Sequence, residues 1–158
     1  MMKLRFLPLI LAVIFTVGGG LAMSPAFSAE KQDITVKDAW SRERPSGAVV
    51  GGAFLTIQNT ANHPDRLISA STPIADRAEV HESVMKDGVM GMLHRDEIII
   101  VSGETVILKP GSFHVMLMGL KEDLTKGKTF PLTLTFARAG DITVTVHVED
   151  AGAMKSTK

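Results

Sequence analysis

Apolar and polar residues take turns along the C-terminal part of the chain. Val144, Val146 and Val148 alternate with Thr143, Thr145 and His147, and Leu132, Leu134 and Phe136 alternate with Thr133 and Thr135. A period of two is the pattern of a strand with one buried face. The same reading predicts strands at Ile34–Trp40, Val49–Gln58, Arg66–Ser71, Ala78–Val84, Val89–His94, Thr105–Lys109 and Phe113–Leu120. Turn residues separate them: Pro45-Ser46-Gly47, Asn59 to Asp65, Asp87-Gly88, Ser102-Gly103, Pro110-Gly111, Lys126-Gly127 and Ala139-Gly140-Asp141. Lys86-Asp87-Gly88 between two short strands predicts a hairpin. No window carries a long helical period. Short strands at this spacing predict an antiparallel β-sandwich.

The first residues follow a different pattern. Lys3 and Arg5 precede an apolar run from Phe6 to Val17, followed by three glycines and the small-residue stretch Ala22 to Ala29. A basic start, a short apolar core and small residues before Glu30 predict a secretory signal peptide over residues 1–28, cleaved after Ala26, Ser28 or Ala29. Pro8 and the glycines interrupt the 18 residues from Phe6 to Met23, which argues against a membrane anchor. The mature domain then covers residues 29–149, and the polar residues 150–158 read as a flexible tail.

Composition narrows the function classes. Lys+Arg and Asp+Glu both count 17, so no basic surface points to nucleic acid. Cysteine is absent from the 158 residues. That removes a disulfide scaffold, a thiol nucleophile, a Cys-ligated metal centre and a lipid-anchored lipoprotein. No Ser-His-Asp order, acid pair or phosphate loop stands out, so the chain does not read as an enzyme.

The methionines carry the chemical signal. Met85, Met90, Met92, Met116 and Met118 fall within one stretch, together with His81, His94 and His114. Imidazole nitrogen and thioether sulfur are neutral ligands of intermediate and soft character, and they suit Cu(I) better than zinc, calcium or magnesium. In His114-Val115-Met116 an extended backbone points imidazole and thioether to the same side. His81 would enter the hairpin through Asp87-Gly88, with Met92 on the return arm. Methionine is also a common filler of β cores, and burial separates the two readings.

The spacing resembles a known signature. His81, ten residues, Met92, twenty-one residues, His114, one residue and Met116 is similar to the pattern of periplasmic copper chaperones with a PCu(A)C domain. Ala39-Trp40-Ser41-Arg42, Gly52 to Asn59, Asp65-Arg66-Leu67, Lys109 to Met118 and Gly140 to Val144 resemble that family as well. The resemblance implies an all-β fold, a cupredoxin-like antiparallel Greek-key β-sandwich in the periplasm. It also implies one Cu(I) per chain, held by His81, Met92, His114 and Met116. The implied partners are a thiol-containing copper chaperone and cytochrome oxidase subunit II, whose dinuclear copper centre would receive the metal. An electron-transfer cupredoxin would need a Cys thiolate. Copper storage or tolerance, and a metal-free interaction domain with a Met-rich core, are the alternatives to delivery.

Overall fold

The computed structural model describes residues 33–157, so the expected signal peptide lies outside the described residues. Ten strands run in chain order: β1 (Ile34–Arg42), β2 (Val50–Asn59), β3 (Asp65–Ser71), β4 (Ala75–Lys86), β5 (Val89–His94), β6 (Ile98–Ile100), β7 (Thr105–Leu108), β8 (Phe113–Leu120), β9 (Thr129–Phe136) and β10 (Gly140–Glu149). The strands expected from the alternating pattern are all present, with ends shifted by a few residues. β6 went unseen because its three isoleucines show no alternation, although the central one is exposed and its neighbours are buried. No helix among the described residues is long and apolar enough to cross a membrane.

Hydrogen bonding orders the strands β5-β4-β8-β2-β1-β10-β9-β3-β6, with β7 beside β2. A further pairing, Ala70 with Ala78, joins β3 to β4 and folds the sheet round on itself. The core between the layers is aliphatic: Leu55, Ile57, Leu67, Val115, Leu117, Leu132, Leu134 and Val146 are each 0–1% exposed. Each comes from the inward parity of its strand.

One pairing departs from the expected antiparallel pattern. β1 runs parallel to β10, with Trp40 opposite His147 and Arg42 opposite Glu149. These strands lie near the two ends of the domain, so no hairpin dictates their relative direction.

A β-bulge in β1 changes which way Trp40 faces. The register against β2 shifts between Lys37 and Trp40, and Asp38 takes a positive φ of 54° there. Before the bulge, Val36 opposes the core residue Ile57; after it, Trp40 opposes Phe54. The extra residue reverses the parity, so Trp40 turns to the outer face of the sheet while Ala39 and Ser41 turn inward.

Residues 150–157, expected as a flexible tail, form no strand but fold back on the domain. Arg42 Nε donates to the Ala153 carbonyl at 2.7 Å, and its guanidinium reaches Met154 Sδ at 2.9 Å. Thr157 donates twice to Glu149, from its backbone N–H at 3.0 Å and its hydroxyl at 2.7 Å. These bonds, the backbone one foremost, hold the Glu149 carboxyl below the usual carboxylate range. A lowered native value means the contact is at full strength above about pH 4.3 and is lost as pH falls through the native value. An NMR pH titration is therefore expected to show the Thr157 amide moving in acid while the strand amides stay put. A Thr157 shift that does not follow Glu149 ionisation would count against the contact.

Candidate metal centre

The site begins with a turn. Asp87 and Gly88 both take positive φ, 53° and 77°, as a two-residue type I′ turn requires. Glycine adopts this conformation without penalty, and Asp tolerates it better than most residues. The turn joins β4 to β5 with Lys86 opposite Val89, and that fixes every later pair: Met85 with Met90, Ser83 with Met92, His81 with His94. On its other side β4 pairs with β8, setting His81 opposite His114, Glu79 opposite Met116 and Arg77 opposite Met118.

Directly opposed residues in an antiparallel pair share a face. Thus all five of these methionines and the three histidines occupy one face of β5-β4-β8. Val80, Val115 and Leu117, with opposite parity, enter the core. No methionine belongs to that core among the described residues. Met85, Met90 and Met92 are 65%, 58% and 57% exposed, and Met116 and Met118 are half-buried. The Met-rich core of the alternative reading does not exist here. Packing the interior is not what these side chains do.

His114 is the buried member of the set, at 7% exposure. Its ring is stacked 6.2 Å from that of His81 between centroids, and tilted 6.4 Å from Phe54. Both histidines turn Nδ1 toward the carbonyl two residues back along the chain: Ser112 O at 3.0 Å for His114, Glu79 O at 3.4 Å for His81. A carbonyl only accepts, so a hydrogen bond here requires Nδ1 as the donor, and in a neutral ring that arrangement leaves the lone pair on Nε2. Such a backbone contact fixes the tautomer of a metal-binding imidazole.

Met92, His114 and Met116 line one cavity of about 310 Å³, shared with Gly52, Arg42 and Arg44. His81 is not among its lining residues and stands beside His114 in the adjacent strand. Three of the four residues singled out by spacing thus surround one opening, and the fourth adjoins it through the histidine pair. Met92 sits one row along from His81, whose direct partner is His94.

Comparison with known proteins bears on this arrangement. The model of LpqE-like lipoproteins matches residues 34–148. The chain belongs to the LpqE-like family. This LpqE-like chain is 32% identical to the protein Lxx21020 of Leifsonia xyli subsp. xyli over 139 residues, covering 87% of this chain and 81% of that one. In fold it is similar to the apo PCuAC domain of PmoF2, with a TM-score of 0.65, 26% identity, and coverage of 78% and 95% of the two chains. It is also similar to the Cu(I) form of DR1885 from Deinococcus radiodurans, with a TM-score of 0.58, 29% identity, and coverage of 77% and 82%. The expected relationship to PCuAC domains and the all-β, cupredoxin-like fold therefore hold. The family and the Leifsonia relative are both described as lipoproteins, and no cysteine is among the 158 residues of this LpqE-like chain.

Since the I′ turn sets the register, Gly88→Val is expected to strain it by about 1–2 kcal/mol. Hydrogen exchange checks this. Amides of Val89–His94 should exchange faster in the variant while those of β9 and β10 keep their protection, and uniform loss of protection would show that the turn holds more than the hairpin.

Proposed function

We propose that the chain is a copper chaperone that holds one Cu(I) through His81, Met92, His114 and Met116 and passes it to a copper enzyme. The observation that carries this reading is placement. Thioethers and imidazoles share one outward face, and three of the four proposed ligands line a single open cavity. The PCuAC relationship supports it, including a structural neighbour described in its Cu(I) form.

The donor set suits the task. Two neutral nitrogens and two neutral sulfurs match a soft monocation, and they leave a dication uncompensated. Arg42 and Arg44 in the cavity wall strengthen that discrimination, because added positive charge penalises a doubly charged ion more. Thioethers form no disulfides in an oxidising compartment, although they can become sulfoxides. Release is favoured by position. β5 pairs only with β4 and lies at the end of the strand order, so Met92 approaches the metal from an exposed edge. A recipient's ligands can replace that thioether without opening the sandwich.

In this reading residues 1–28 direct export to the periplasm. The recipient is a copper protein, with the dinuclear centre of cytochrome oxidase subunit II as the specific candidate. A thiol-containing copper chaperone would be a second partner in the same exchange. Storage differs from delivery in one measurable respect: a storage protein retains Cu(I) when mixed with a competent acceptor of similar affinity.

Anaerobic Cu(I) titration with X-ray absorption tests the site. One equivalent with both sulfur and nitrogen neighbours is expected; a spectrum without sulfur would end the proposal. Met92→Ala and Met116→Ala are expected to weaken Cu(I) binding by more than about a hundredfold, beyond what the loss of an outer-shell contact costs. Melting of the metal-free protein should barely change, since neither side chain is in the core. Leu117→Ala is the reverse case: a loss of about 2–5 kcal/mol in stability with little change in copper affinity. If the methionine variants lower melting as Leu117→Ala does and bind Cu(I) normally, the proposed ligands are wrong.

A further inference from the structure

His81 has a histidine on each side. His114 neighbours it on β8, and His94 neighbours it on β5 with ring centroids 5.4 Å apart in an edge-on arrangement at 71°. One row along, the half-buried Glu79 turns its Oε2 toward His94 Nδ1 at 3.5 Å. Ligand atoms of Glu79, His81 and His94 all lie within 4.8 Å of one another. Around a tetrahedral ion with bonds of about 2.1 Å, ligand atoms stand about 3.4 Å apart. His94, 51% exposed, is the member of the three with most room to turn toward the others. The far nitrogen of His94 is already 3.3 Å from Asp96 Oδ1, the carboxylate–imidazole arrangement that orients metal-bound histidines.

The chemistry of this group is the opposite of the thioether set. Two imidazoles and a carboxylate form a borderline donor set of the kind that Zn(II) and Cu(II) prefer. Charge follows the same division. Glu79 and Asp96 bring two negative charges to the β4–β5 side, of which Arg77, 3.4 Å from Glu79, offsets one. The thioether cavity is lined by no carboxylate and by two arginines. A dication is therefore favoured on one side of His81 and disfavoured on the other.

We propose that Glu79, His81 and His94 form a second metal site, for a borderline divalent cation of the Cu(II) or Zn(II) class, and that it shares His81 with the thioether set. The site rests on its own residues; the sharing of His81 rests on the Cu(I) reading above. One imidazole then serves two ligand sets, and the charge and softness of the ion select which set completes its coordination. Divalent ion and Cu(I) compete for the chain instead of filling it independently.

Cu(II) is the direct probe, read by electron paramagnetic resonance on the purified protein with glycine as competing ligand. One bound Cu(II) with nitrogen coupling is expected, and excess Zn(II) should displace it. His94→Ala and Glu79→Gln should each weaken Cu(II) binding by more than about tenfold, with one nitrogen fewer in the His94→Ala spectrum. Cu(I) affinity should be unchanged in both. Protein loaded with Cu(I) beforehand should take up Cu(II) more weakly. A His94→Ala variant that binds Cu(II) like the parent overturns the site, and so does one that loses Cu(I) in equal measure, since that would assign His94 to the thioether set. Undiminished Cu(II) uptake by the Cu(I)-loaded protein overturns the sharing. Failure of the Cu(I) reading would be visible separately, as Met92→Ala or Met116→Ala with normal Cu(I) affinity.

Discussion

Everything at the histidine–methionine face depends on the register of β4 against its two neighbours. A strand alternates its side chains, so a slip of one residue would send every outward group into the core and every core group into water. Two devices prevent the slip. The Asp87-Gly88 turn counts β5 off from β4 without a spare residue, and Val80, Val115 and Leu117 lose their burial if β4 moves against β8. The fold's largest energetic term, burial of apolar surface, thus aligns histidines and methionines that contribute little to it.

That division separates stability from chemistry to an unusual degree. The core is built from Leu, Ile, Val, Phe and Ala, and the sulfur atoms stand outside it. In many β proteins methionine is gap filler, and its removal would be felt as a cavity. Here the thioethers are spread over an outer face, from half-buried at Met116 and Met118 to largely exposed at Met85, Met90 and Met92. Such a face can change its ligands without repacking the interior.

Much of this was legible in the residues. Alternation located the long strands where their two faces differ in burial, as in β9 and β10, and it missed Ile98–Ile100 because three like residues carry no period. The parallel pairing of β1 with β10 left no local trace, since neither strand's pattern encodes the direction of a distant neighbour. At the site, spacing selected His81, Met92, His114 and Met116. The place of His94 was within reach and was not drawn: equal steps outward from Asp87-Gly88 bring His81 to His94 and Ser83 to Met92. The bulge at Asp38 was not foreseeable, because an aspartate beside Lys37 within an otherwise ordinary strand pattern gives no sign that it will take a positive φ.

The bulge has an optical consequence. By turning Trp40 outward it extends the row His94, His81, His114 and Phe54 to a fifth ring, with Trp40 4.6 Å from Phe54 between centroids. Trp40 is the only tryptophan in the sequence, tyrosine is absent, and the indole is 4% exposed. Its emission therefore comes from one buried fluorophore, separated from the His114 imidazole by a single phenyl ring. The molecule carries a built-in, label-free reporter on the same face as its histidines and methionines.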